Sequence, residues 1–212
     1  MTPLHPAVLP GNERLVVVVG PSGAGKDSLL QAWLAQVRAD TPTLQAARRS
    51  ITRPASEAAG SEPHEPLSEA AFTAALLAGD MAVHWQAHGL HYGVRRGQFD
   101  VLSQPGQWLL LNGSRQALPA LRHVAPDVKV LAITASPHVL AARLAGRGRE
   151  DAAAVAARLA RSQLPWPDGI QPDHTVVNDG ALKGALASVL NWWWPLQAAA
   201  TPAGPVTSAQ PT

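Results

Sequence analysis

Gly20-Pro21-Ser22-Gly23-Ala24-Gly25-Lys26 lies between the apolar run Leu15 to Val19 and a stretch in which Leu29, Leu30, Trp33, Leu34 and Val37 recur at helical spacing. Glycines at 20, 23 and 25 let backbone N–H groups turn inward on one anion. The helix start that follows adds its positive dipole end. Lys26 contributes an ammonium that reaches the outer phosphates of a polyphosphate. Asp27 stands where a serine or threonine would bind magnesium; its carboxylate can hold the ion directly or through water, and Ser28 is adjacent. Strand, glycine-rich turn and helix in this order predict a phosphate-binding loop for a nucleoside triphosphate and Mg2+.

Three further groups carry polar residues at suggestive spacing. Arg143, Arg147, Arg149 and Arg158 straddle the break RLAGRGRED. Phosphoryl transfer is mostly positioning and charge neutralisation, so arginines that close over the phosphates suit it. Arg48, Arg49, Ser50, Thr52 and Arg53 suit an anion other than the donor nucleotide. His84, His88, His91, Tyr92, Arg95 and Arg96 crowd HWQAHGLHYGVRR, where imidazoles could donate to sugar hydroxyls or phosphate.

The elements that must position these groups read as alternating strands and helices. Leu15 to Val19 is too short for a helix and continuously apolar, as a strand of a parallel sheet is. Leu44 to Thr52 reads as one strand and 54 to 67 as a loop. Ser68 can cap a helix from Glu69 to Leu77. Residues 81 to 94 read as a hairpin turning at His88-Gly89, and 95 to 102 as helical. Trp108 to Leu111, Val128 to Ile133 and Thr175 to Val177 are further strands. Helices are expected after Ser114 and over 137–144, 151–163 and 182–193. Residues 1–13 form a lead-in, 14–197 one domain, and 198–212, rich in Pro, Ala, Ser and Thr, a disordered tail. Trp192-Trp193-Trp194 is expected to cover the core edge or a subunit contact, which leaves a homodimer open.

With 212 residues and 46% hydrophobic content the chain can bury a core. It has no cysteine, which removes disulfides, thiolate catalysis and Cys-ligated metal. The net charge is +2 and the arginines are dispersed in small groups, so small phosphorylated ligands are expected and nucleic acid is not. No apolar run approaches the roughly 20 residues that span a bilayer. The first residues lack a basic start and an apolar segment, so a cytoplasmic location is expected and no membrane partner.

In GPSGAGKD, SITRP, LSEAAF, HWQAHGLHYG, RLAGRGRE and VVND, from about Arg14 to Leu196, the chain resembles the guanylate kinase family. The resemblance implies an α/β P-loop NTPase fold of three layers around a parallel sheet. It also implies an acceptor-binding lobe at about 47–100, a lid at about 146–162, and ATP with Mg2+. By resemblance Lys26, Arg143, Arg147 and Arg158 are catalytic, and Asn178 lies near the adenine. The chain departs from the family where it has His84 for a guanine-reading carboxylate, Val94 for a hydroxyl, Asn112 for an aspartate and His64 for a tyrosine. A site that pairs with guanine's N–H groups loses its discrimination when those acceptors vanish. GPSGAGKDSLL, ITRP, AVHWQAHGLHYG and LLNGSR are instead similar to the phosphonate-utilisation branch of that superfamily, which implies transfer from ATP to ribose 1,5-bisphosphate. On that reading Arg49 and Arg53 hold an acceptor phosphate, and His84, His88 and Tyr92 line the sugar. Asn112 and Arg115 orient the acceptor or a magnesium-bound water. A guanylate kinase with a relaxed site and a non-catalytic binding module are the alternatives.

Overall fold

Leu15–Val19 forms strand β1, and all five of its side chains are buried, as an unbroken apolar run requires when both faces of a strand are covered. It lies at the centre of a parallel sheet with β2 (Leu44–Ala46), β7 (Trp108–Asn112), β8 (Lys129–Thr134) and β9 (His174–Val177), in the order β2-β7-β1-β8-β9. This computed structural model describes residues 8–40, 43–54, 63–87, 89–145, 165–167 and 169–200.

Alternate side chains of β1 serve two different layers. Val16 and Val18 pack with Leu29, Leu30, Trp33 and Val37 of α1 (Lys26–Asp40), Leu140 of α4 (Pro137–Ala145), and Ala185, Val189 and Trp193 of α5 (Leu182–Ala200). Leu15, Val17 and Val19 join Leu118, Leu121 and Val124 of α3 (Leu118–Val124) on the other face. Apolar spacing in α1 and alternation in β1 thus meet in one packed interface, and the three-layer α/β expectation holds.

A smaller sheet docks on the α3 side. It comprises β3 (Arg49–Ile51), β4 (Glu65–Pro66), β5 (Met81–Ala87) and β6 (Leu90–Arg95), in the order β4-β3-β6-β5. Helix α2 (Glu69–Leu77) covers its outer face, and the Ser68 hydroxyl caps it by accepting from the Ala71 N–H. A Cβ on Gly93 would lie 2.9 Å from the Met81 sulfur and 3.2 Å from the Phe72 ring. Glycine at that point lets Phe72 of α2 rest on the strand.

Several expected boundaries differ. The stretch 44–52 is two strands in two sheets, because the chain leaves the core sheet after Ala47, whose N–H still bonds Leu110 O. Glu65 and Pro66, expected in a loop, pair with Ser50 and Ile51. Residues 96–103 wind as a 3₁₀ helix. Helix α5 runs through Pro195 to Ala200, so residues 198–200, expected in the tail, are helical. The helix expected over 151–163, the lid at 146–162 and residues 201–212 lie outside the described residues.

The outer face of the lobe is tied by charge. Ser50 Oγ donates to Glu65 Oε2 at 2.5 Å, Arg95 donates to both Glu65 oxygens at 2.8 and 2.9 Å, and Arg95 Nη1 reaches Asp80 at 3.3 Å. The Arg95 hydrogen bonds, opposed in part by burial, hold the Glu65 carboxyl below its ordinary value of 4.5. A depressed carboxylate stabilises the fold above its unfolded pKa, and that stability is lost as pH falls through the folded value. Glu65→Gln should therefore flatten the acid limb of the melting-temperature profile below about pH 4.5, while costing about 1 kcal/mol or less at neutral pH because both partners are partly exposed. Parallel melting profiles for the two proteins would remove any role for the Glu65 charge.

Candidate active site

The glycine-rich turn joins β1 to α1 as its sequence predicts. Gly25 has φ +82, and a Cβ there would lie 2.6 Å from Asn178 Nδ2. That amide, at the end of β9, donates to Ala24 O at 2.8 Å and is buried. In a trans peptide C=O and N–H point in opposite senses, so a carbonyl held from outside turns the Gly25 N–H toward the inside of the turn. Arg143, in the last turn of α4, donates to Gly23 O at 3.4 Å. Asn178, placed near the adenine by resemblance, is tied to the loop itself.

Lys26 Nζ folds back onto Gly20 O at 2.8 Å and Pro21 O at 3.0 Å. The ammonium is thus held over the cradle by the residues that begin it. Asp27 Oδ1 accepts from Asn112 Nδ2 at 3.0 Å, which links the start of α1 to the end of β7. Ser28, one residue and about 100° further round the helix, is exposed and does not join them. Of the two residues expected at magnesium, the structure brings only Asp27 to the strand end. A hard dication takes oxygen ligands and keeps several waters, and a half-buried carboxylate beside the cradle fits it.

The acceptor lobe presents two unlike faces. Arg49 pairs with Val94, Ser50 with Gly93 and Ile51 with Tyr92; His84 pairs with Gly93 and Trp85 with Tyr92. Directly opposed residues share a face and successive residues alternate. Arg49, Ile51, Val83, Trp85, Tyr92 and Val94 therefore face the core sheet, where the apolar ones join its hydrophobic cluster. Trp85 stacks on Tyr92 at 5.5 Å between centroids, and the Arg49 guanidinium lies 5.8 Å from the Tyr92 ring centre. His84, Ser50, Gly93 and His91 share the opposite face, where His91 packs on Phe72 at 5.5 Å. His84 is exposed there.

His84 and Tyr92 thus cannot line one sugar together, because the register turns them to opposite sides of the sheet. The register places Arg49 and Tyr92 on one face and His84 on the other, and does not bring the expected acceptor residues together; His88 lies outside the described residues. His84→Ala should change the acceptor KM by less than about twofold, whereas Arg49→Ala should raise it about tenfold or more through loss of a charged hydrogen bond. Equal effects in steady-state kinetics would put His84 back in the site.

Arg53 follows β3. Its carbonyl lies 3.2 Å from His64 Nε2, and the neighbouring Thr52 hydroxyl accepts from the His91 N–H at 2.9 Å. Arg115, after β7, lies 5.9 Å from the Trp166 ring centre. Burial disfavours its charge and lowers its pKa from the ordinary guanidinium value, so an anion brought beside it would relieve that cost. Arg147 and Arg158 lie outside the described residues. Sequence reasoning missed Trp85 and Trp166 because no local motif marks a ring brought to the site by strand register or by a distant segment. Among the described residues no group of three His, Asp or Glu side chains could hold a metal, and no helix is long and apolar enough to cross a membrane.

Comparison with known proteins agrees with this geometry. The family model for guanylate kinase matches residues 12–184, and the chain belongs to that family. The guanylate kinase of Anaplasma phagocytophilum, 18% identical, shares the fold with a TM-score of 0.55 over 91% of this chain and 87% of its own. Among curated relatives, the ribose 1,5-bisphosphate phosphokinase PhnN of Ruegeria sp. (strain TM1040) is 46% identical over 177 residues, 84% of this chain and 90% of that protein. The protein of the same name from Burkholderia mallei (strain SAVP1) is 45% identical over 175 residues, 82% of this chain and 91% of its own. The family and fold expectations are borne out, as is the expectation of a kinase rather than a binding module.

Proposed function

We propose that the protein transfers the γ-phosphoryl group of ATP to the 1-phosphate of ribose 1,5-bisphosphate, giving 5-phosphoribosyl 1-diphosphate and ADP. A phosphate oxygen of the acceptor attacks Pγ, the bond from Pγ to the ADP oxygen breaks, and a P–O–P bridge forms. The observation that carries the acceptor class is the inner face of the lobe. Its described strand residues supply Arg49 and stacked aromatic rings but no carboxylate, while Glu65 is engaged on the outer face with Arg95 and Ser50. A guanine left without acceptors for its N–H groups costs several kcal/mol of discrimination, whereas a sugar bisphosphate asks chiefly for cations. The names of the curated relatives agree with that acceptor.

A phosphate monoester has its second pKa near 6 and is largely dianionic at pH 7. The nucleophile therefore needs no general base, unlike an alcohol acceptor. Loop amides and Lys26 hold the donor phosphates, and Arg143, with Arg147 and Arg158, stabilises spread negative charge. Arg49, Arg53 and Arg115 hold the acceptor phosphates, and Tyr92 lies against the sugar. Asp27 would hold magnesium, which when bound neutralises charge on the β- and γ-phosphates.

A coupled ADP-release assay with ribose 1,5-bisphosphate, GMP and dGMP tests the proposal. Turnover should be seen with the sugar bisphosphate, and GMP should be poorer by about a hundredfold or more in kcat/KM, the scale on which unpaired buried polar groups reject a ligand. Turnover with GMP alone would reassign the protein as a nucleotide kinase.

A further inference from the structure

We infer that the phosphate loop and the neighbouring strand have exchanged the two groups that hold magnesium, and that Asn112 is the positioning residue for Asp27. In the ordinary arrangement a hydroxyl follows the loop lysine and a carboxylate ends an adjacent strand. Here the carboxylate follows the lysine, and the strand beside β1 ends in a carboxamide, with Asn112 opposite Val18 in the parallel register. The number of carboxylates at the centre stays at one.

The contact between them gives the exchange its physical content. Asn112 is 4% exposed, fixed at the end of a fully buried strand, and donates from Nδ2 to Asp27 Oδ1 at 3.0 Å. An amide donating to a carboxylate makes a charge-assisted bond, so one Asp27 oxygen is committed and the plane of the carboxylate is set. Among the described residues Asp27 takes no other hydrogen bond. The pair borders a hollow of about 200 Å³ whose other lining is Leu30, Gln31, Leu34, Ala46, Pro63 and Leu110. Apart from the pair itself, Gln31 is the polar member of that lining, and among the described residues it makes no side-chain hydrogen bond to Asp27, so the second carboxylate oxygen is left for a cation. An aspartate at 112 would instead put two carboxylates within about 3 Å, where like charges oppose joint ionisation.

The inference rests on the nucleotide-site reading and is independent of which acceptor is used. Its test reads Mn2+ binding to the protein–ADP complex by electron paramagnetic resonance, with metal-free ADP affinity measured alongside. Asn112→Leu should weaken Mn2+ about tenfold, the scale of lost outer-shell support, while metal-free ADP affinity changes less than about twofold. Asp27→Ser should weaken Mn2+ by about tenfold or more, and the double variant that also carries Asn112→Asp should return to within about threefold of the parent protein. Unchanged Mn2+ affinity in Asn112→Leu, or a double variant no better than Asp27→Ser alone, overturns the inference. Should Asn112→Leu lose its cooperative melt, the exchange pair alone decides. A parent protein that binds ADP no better with Mn2+ than without it overturns both the exchange and the nucleotide site. Tight Mn2+–ADP binding with turnover on GMP overturns only the acceptor assignment.

Discussion

Lys26→Ala should leave a folded protein whose kcat for phosphoryl transfer is down by about 10²–10³ or more, the scale on which a preorganised charge acts at a transition state. The ammonium contributes little to packing: Lys26 is half-buried, and its partners include two carbonyls of its own loop. The core beneath is made of Val16, Val18, Leu29 and Trp33, none of which the substitution touches. During transfer, by contrast, negative charge spreads over the γ-phosphoryl oxygens, and a neutral side chain offers nothing to balance it. Coupled ADP release measures the rate and a thermal melt checks the fold. Turnover near that of the parent protein would contradict the mechanism.

Trp193→Ala should be the most costly single truncation for stability, at about 3–5 kcal/mol, a large part of the roughly 5–15 kcal/mol that holds a domain folded. Trp193 is fully buried and meets Trp33 edge-on at 5.8 Å, Trp108 edge-on at 6.1 Å and Trp194 at 4.7 Å. Removing it empties the junction of α1, β7 and α5, and three rigid rings cannot collapse into the space. Trp192 is half-buried and stacks on His174 at 5.5 Å at the sheet edge. Its truncation should cost about 1–2 kcal/mol, nearer an ordinary substitution. Urea denaturation separates the two. Equal costs would mean that the tryptophan run acts as a patch rather than through one buried anchor.

The loop and its flanks were legible because strand, turn and helix are consecutive, and each leaves a local period or a glycine spacing. The tryptophan run was half legible. Its role in covering the core could be expected, but the last helix was expected to end at Trp193, and it continues through Pro195 to Ala200. Leu196 packs against the core and three alanines follow, and that turn of good helix formers carries the helix past the proline. The lobe shows where one-dimensional reasoning stops. Side chains alternate along a strand, so placing His84 needs the pairing register, and a one-residue slip reverses every face. Nor could spacing reveal that Glu65 meets Arg95 or that Asp27 meets Asn112, pairs separated by 30 and 85 positions. Those contacts depend on which sheet each strand joins, and 44–52, which switches sheets within nine residues, gives no local sign of it.

The position of the Lys26 ammonium bears on which anions the loop accepts. With its charge already shared with Gly20 O and Pro21 O among others, the side chain leaves only for something that more than replaces the contacts it makes there. A solitary inorganic phosphate offers a narrow margin over that internal competitor. A chain of three phosphates, gripping amides along the whole turn, offers many more contacts than a single phosphate and so competes better with those carbonyls.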